Sequence, residues 1–256
     1  AKTDLSGRLY RSFRSEDGFW TAPKPQIFEM ARGGMRRLLC LYDNAGEHFL
    51  PGRESPQEPV TRHLAVSRAL VFVVDPTQDQ RVVERLGGRD AVAALGGGGS
   101  AEQRQDLLLI EAANRVRRLR ALSSSDKLPF RIVIALAKAD IWGALASPEL
   151  STDFCSSGDG KPSIAVPKGD VLARAHLGCA AFLTESMPEL LATARALDPK
   201  FRVVPFSGLG KPPARNGSDA RLSIRPKDVR PIWPAAPLVV ALSEAEPTMF
   251  AEFAAR

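Results

Sequence analysis

Three short apolar runs, each ending directly in a loop residue able to do chemistry, constrain this chain more than any other feature. Ala69–Val74 (ALVFVV) ends at Asp75-Pro76, Arg131–Leu136 (RIVIAL) runs into Ala137-Lys138-Ala139-Asp140, and 202–206 meets Ser207-Gly208. The runs are rich in β-branched residues, and a continuous apolar run, unlike an alternating one, suits a strand covered on both faces. Between them lie helical patterns. The stretch 102–120 sets Leu108, Leu109, Ala112, Val116 and Leu119 on one face at 3.6-residue spacing and leaves Arg115, Arg117 and Arg118 mostly outside it, as a solvated face. A second helical region covers 170–197, broken near Ser186-Met187-Pro188 because proline can begin a helix but not continue one. Alternation of buried strands with helices predicts an α/β fold with a doubly wound, mostly parallel sheet.

Upstream, 26–31 and 36–42 flank Gly33-Gly34, a dipeptide that supplies positive φ in a tight turn. This pair is expected to form an antiparallel hairpin at the sheet edge. The run Gly96-Gly97-Gly98-Gly99-Ser100 predicts a mobile link over 87–101, within a flexible insertion at 82–103, and the Ser-, Gly- and Asp-rich 151–163 reads as another surface insertion. With 256 residues the chain is expected to form a single domain.

Charge narrows the function less than it first suggests. The net charge of +6 invites a nucleic-acid reading, but arginine greatly outnumbers lysine, as a GC-rich coding bias produces, and only 7% of residues are aromatic. Few aromatics disfavour a base-stacking platform, so nucleic acid is not an expected partner. Cys40, Cys155 and Cys179 are odd in number and widely spaced, which signals neither a zinc cage nor a disulfide framework and fits a reducing cytoplasm. No apolar run approaches the ~18 residues of a membrane span, and no export signal is visible in 1–15. A cytoplasmic protein without a membrane partner is expected.

Three motifs carry chemistry. Asp43-Asn44-Ala45-Gly46-Glu47 follows the strand at 36–42, where ligands of α/β sheets bind, beyond the carboxyl ends of strands. An Asp with a Gly three residues on suits a nucleoside triphosphate: the carboxylate holds Mg²⁺, and the Gly N–H approaches the terminal phosphate unobstructed. The plain alternative is an Asx-type turn closing a strand. Second, Lys138-Ala139-Asp140 has a K-x-D ending, in which the carboxylate accepts both N1–H and N2–H of guanine while the Lys138 stem packs over the base. Its alternative is a helix cap by Asp140. Third, Ser207-Gly208-Leu209-Gly210 supplies backbone N–H groups where the guanine O6 would lie.

In this order and after these strands, D-x-x-G-E, K-x-D and S-x-L-G resemble the P-loop GTPase superfamily over about residues 20–242. LLCLYDNAGEHFL, RALVFVVDPTQD and RPKDVRPIWP are similar to the bacterial double-GTPase type two family, Ras-like in fold and found in gene neighbourhoods of conflict systems. The resemblance implies GTP or GDP with Mg²⁺ as cofactors, and a protein partner met through switch loops. It places Asp43 and Thr21 at the metal, Gly46 at the γ-phosphate, and Lys138, Asp140, Ser207 and Gly208 at the base. Glu47 stands where many relatives carry a water-orienting glutamine, with His48 a neighbouring competitor for that role. The stretch 141–200 is longer than a minimal Ras-like domain needs and so contains an insertion.

Two departures qualify the resemblance. Ala137 replaces the Asn or Thr that usually tethers the guanine loop, and no G-x-x-x-x-G-K-[ST] is present. The sequence expectation is a chain beginning after that loop, N-terminally incomplete; the alternative is a pseudo-GTPase whose sheet serves as an interaction scaffold.

Overall fold

A computed structural model describes residues 25–32, 34–44, 46–49, 61–97, 104–146, 169–215 and 222–250. The first two strands, β1 (Gln26–Arg32) and β2 (Met35–Leu41), form the expected antiparallel hairpin, but as a separate two-stranded sheet rather than at the edge of the parallel one. Arg32 pairs with Met35, so the turn is two residues long, and Gly34 takes a φ of 80° that L side chains rarely adopt. The hairpin is thinly covered: Ile27 is 62% and Leu38 72% exposed.

The three apolar runs become β3 (Ala69–Val74), β4 (Arg131–Leu136) and β5 (Arg202–Pro205), a parallel sheet in the order β3-β4-β5. Every residue from 132 to 136 is buried, so both faces of β4 are covered, as the unbroken apolar sequence predicts; β3 departs from that expectation, with Val74 its one buried residue and Val73 58% exposed. With the hairpin and helices this makes a mixed α/β fold. A short antiparallel pair, β6 (Ala214–Arg215) with β7 (Leu222–Ser223), lies outside both sheets.

The helices are α1 (Gln80–Arg85), α2 (Arg89–Ala94), α3 (Gln105–Arg120), α4 (Ala139–Ala146), α5 (Gly169–Ser186), α6 (Pro188–Leu197), α7 (Ala236–Ala245) and α8 (Pro247–Phe250). Met187 separates α5 from α6, with Pro188 opening the second helix as the sequence indicates. α5 packs on β5, α7 on β3 and β4, and α3 on α6. No helix among the described residues is long and apolar enough to cross a membrane.

Two expectations are corrected. Within the link expected to be mobile at 87–101, residues 89–94 form α2 and Val92 is fully buried, while 98–101 lie outside the described residues. The arginine face of α3 is not uniformly solvated: Arg115 is buried, with Nε 2.9 Å from Glu111 and its guanidinium 5.3 Å above the Phe49 ring. Conversely Leu119, assigned to the apolar face, is 44% exposed near the end of the helix. Of the insertion expected at 141–200, α5 and α6 contribute Phe182, Leu183, Leu190 and Leu191 to the main core, and 147–168 lie outside the described residues.

Candidate functional site

Parallel pairing brings the three strand ends to one level. Val74 pairs with Leu136, and Leu136 with Pro205, so the loops opening at Asp75, Ala137 and Phe206 start side by side. Main-chain bonds lace them together: Ala137 N–H donates to Val74 O at 2.8 Å, and Ala139 N–H to Phe206 O at 3.1 Å. The Ala137 carbonyl accepts from Trp142 Nε1 at 2.6 Å, and Trp142, fully buried, stacks on Phe182 with ring centroids 4.9 Å apart. These bonds hold the loop at Ala137 through its main chain.

Lys138 has a φ of 57°, a left-handed conformation that costs a residue with a Cβ about 1–2 kcal/mol. Its ammonium is clamped, 2.8 Å from Asp75 Oδ2 and donating to the Gly96 carbonyl at 3.2 Å. Asp75 is the residue that sequence reasoning noted only as a strand end. Its Oδ1 accepts from Thr77 N–H at 3.0 Å and from Thr77 Oγ1 at 2.6 Å, and Gln105 clasps its main chain through both amide atoms. An Asp at a strand end followed two residues later by Thr is the signal of an Asx turn and could have marked it.

Asp140 sits in the first turn of α4, partly exposed, and its carboxylate has no hydrogen-bond or ion-pair partner among the described residues. It is therefore not acting as a helix cap. Ser207 is buried and structural: its N–H and C=O exchange 2.8 Å bonds with Ile232, and its Oγ accepts from Leu209 and Gly210 N–H at 3.2 and 2.8 Å. Of the N–H groups at 207–210, that of Gly208 is the one without a partner among the described residues. Gly210 closes the loop at φ 74°, where a Cβ would stand 1.4 Å from the Arg230 carbonyl oxygen.

Asp43 is exposed directly after β2, and Gly46 opens a 3₁₀ turn, Gly46–Phe49. Both line a cavity of about 680 Å³ between the hairpin and β3, whose wall also includes Val73 and Gln105. Asn44 Nδ2 lies 2.9 Å from His63 Nε2, and His63 stacks on Tyr42 at 4.2 Å. The Asn44 Oδ1 is buried with no partner among the described residues. For Glu47 and His48 only the backbone is described, and Thr21 lies outside the described residues.

The structure thus gathers Lys138, Asp140, Ser207 and Gly208 in adjoining loops. Asp43 and Gly46 follow another strand and line the cavity of about 680 Å³, which Lys138, Asp140, Ser207 and Gly208 do not, and Gln105 links the two halves, lining the cavity and holding Asp75. Chemically, the first half contains a carboxylate acceptor at Asp140 and an N–H donor at Gly208, neither with a partner among the described residues. Among the described residues no cluster of three or more His, Cys, Asp or Glu side chains could hold a metal ion unaided. Comparison of the chain with protein-family models, curated proteins and solved structures yields no match.

Proposed function

We propose that the chain is the nucleotide-recognising part of a GTP-hydrolysing switch. The observation that carries this reading is the Asp140 carboxylate, without a partner among the described residues, two positions from a Lys138 in a left-handed conformation and in a loop tied to that of Gly208 by the Ala139 N–H to Phe206 O bond. A surface Asp with no partner needs no such scaffold, whereas strained backbone held by several bonds is a recurrent mark of ligand sites. Guanine has the matching donors, N1–H and N2–H, for the carboxylate and an O6 acceptor for an N–H; adenine lacks that pair. The Lys138 ammonium is engaged by Asp75, leaving its aliphatic stem as the surface for the base.

Asp43 is the carboxylate that fits Mg²⁺, because this ion commonly takes one or two protein carboxylates and completes its shell with phosphate and water. The orphaned Asn44 Oδ1 beside it is a hard oxygen of the same kind. When bound, the ion supplies charge neutralisation on the phosphates. Gly46 N–H would approach the terminal phosphate, and Glu47, with His48 as its competitor, would orient the attacking water. Loops that order around the γ-phosphate also offer a surface to a protein partner.

A second reading is a pseudo-GTPase scaffold, favoured by the absence of a G-x-x-x-x-G-K-[ST] motif from these 256 residues. Base recognition separates the two. Saturation-transfer NMR on the full chain should show contacts to GTP and not to ATP, with weak affinity because the 256 residues contain no G-x-x-x-x-G-K-[ST] motif to hold the α and β phosphates. Asp140→Asn should weaken GTP by at least ~1.5 kcal/mol and favour xanthosine triphosphate, since a charged hydrogen-bond pair is exchanged for a mismatched one. Equal contacts to all three nucleotides, unchanged in Asp140→Asn, would leave the scaffold reading standing.

A further inference from the structure

A second cavity, of about 530 Å³, opens at the other end of the parallel sheet, where β5 begins at Arg202. α5, α6 and the turn leading into β5 form it. One wall is apolar, made by Leu177, which is 68% exposed, with Ala180 and Phe201.

The polar lining is made of donors. His176 Nδ1 accepts from Val203 N–H at 3.0 Å, so the imidazole proton sits on Nε2, and the ring stands edge-on to Phe201. That Nε2–H has no acceptor among the described residues. Arg195 and Lys200 also line the cavity, and neither side chain has a hydrogen-bond or ion-pair partner there.

The nearby carboxylates are already committed. Glu244 holds Arg202 at 2.8 Å, and Asp198 holds Arg131 at 2.7 Å while accepting from the Ile132 and Lys200 N–H groups. Burial, then the charges of Arg202 and Arg195, push the His176 pKa down, with Glu244 opposing them. The field at the imidazole is therefore positive and incompletely neutralised.

We propose that this cavity binds a small phosphate monoester carrying a flat apolar group. His176 Nε2–H, Arg195 and Lys200 meet the phosphate, and Leu177, Ala180 and Phe201 receive the apolar group. A phosphate monoester carries nearly two charges near neutral pH and several acceptor oxygens, matching one fixed donor and two cations. The cavity is of small-molecule size, and inorganic phosphate would fill little of it. This site is independent of the nucleotide reading, because no residue is shared with it.

The test uses phenyl phosphate and inorganic phosphate as probes, followed by imidazole NMR and calorimetry on the full chain. Phenyl phosphate should shift the His176 resonances and bind roughly tenfold or more tightly than inorganic phosphate, with affinity falling as salt rises. Arg195→Gln combined with Lys200→Gln should cost roughly tenfold or more in affinity with an unchanged melting temperature, both side chains being exposed and unpaired among the described residues. Asp140→Asn should leave this binding unaltered.

Three results would overturn the proposal: no His176 shift at millimolar phenyl phosphate, equal affinity for both probes, or undiminished binding by the double variant. Binding to vesicles containing phosphatidic acid, with none to phenyl phosphate, would overturn it in favour of a lipid headgroup.

Discussion

The hairpin β1–β2 and the sheet β3-β4-β5 are both made of apolar, strand-forming sequence, and they are held in different ways. In the hairpin, register follows from a two-residue glycine turn, while Ile27 and Leu38 remain largely exposed. In the sheet, residues 132–136 are all at 1% exposure or less, and register follows from burial on two faces. The same division runs through the candidate site. The K-x-D and S-x-L-G loops stand on the covered sheet and are laced by main-chain bonds; the D-x-x-G loop stands on the hairpin beside an open cavity. The loops on the parallel sheet are thus held by the core, whereas the D-x-x-G loop rests on an element with few core contacts of its own.

The largest expected contrast is in stability. Trp142→Ala removes a fully buried ring stacked on Phe182 and the tether on the Ala137 carbonyl, and should cost about 3–5 kcal/mol in denaturant unfolding. Leu38→Ala on the hairpin should stay within about 0.5 kcal/mol. Comparable losses at both positions would mean that the hairpin is as buried in solution as the sheet.

Glycine substitutions sharpen the comparison. Gly34 and Gly210 share nearly the same positive φ, but a Cβ at Gly34 meets nothing within 4 Å, and one at Gly210 meets the Arg230 carbonyl. Gly34→Ala should cost about 1–2 kcal/mol, the conformational penalty alone. Gly210→Ala must in addition move main chain and should cost roughly 3 kcal/mol, reading out in thermal melts as the larger loss.

Asp75→Asn tests whether the covered half is held by its side-chain network. It removes the charge paired with Lys138 and should lower stability by about 1.5 kcal/mol, with weaker GTP contacts in NMR as Lys138 loses its clamp. Preserved stability and unchanged GTP contacts would assign the positioning to the Ala137 and Ala139 backbone bonds alone.

The smallest effect is a slope with pH. Burial and the charges of Arg202 and Arg195 lower the pKa of His176 in the folded chain, so the unfolded chain binds the extra proton first. The corresponding stability is complete above the unfolded value of about 6.5 and is lost as pH falls below it toward the folded value. His176→Asn keeps an acceptor near Val203 N–H and should flatten that limb of a stability–pH profile without moving the behaviour above pH ~7.

Local pattern alone determined a great deal. The continuous apolar runs specified three strands, Gly33-Gly34 specified a hairpin, and Pro188 specified where one helix ends and the next begins, because each is a short-range consequence of side-chain shape and backbone freedom; cover on both faces was not specified in this way, since Val73 of β3 is 58% exposed. The strand-end positions of Asp43, Lys138, Asp140 and Ser207 were legible for the same reason. Other features depended on what the fold brings near. Arg115 is buried because Phe49 arrives over its guanidinium, Val92 because Thr77 and Gly97 pack against it, and α7 forms from an apolar stretch that carries no side-chain cap at its start. The roles of Asp75 and Gln105 belong to this second group. Their partners, Lys138 and Asp75, lie far away along the chain, and only parallel pairing of β3 with β4 sets those strand ends at one level, where a carboxylate noted as a strand terminus becomes the anchor of the lysine beside it.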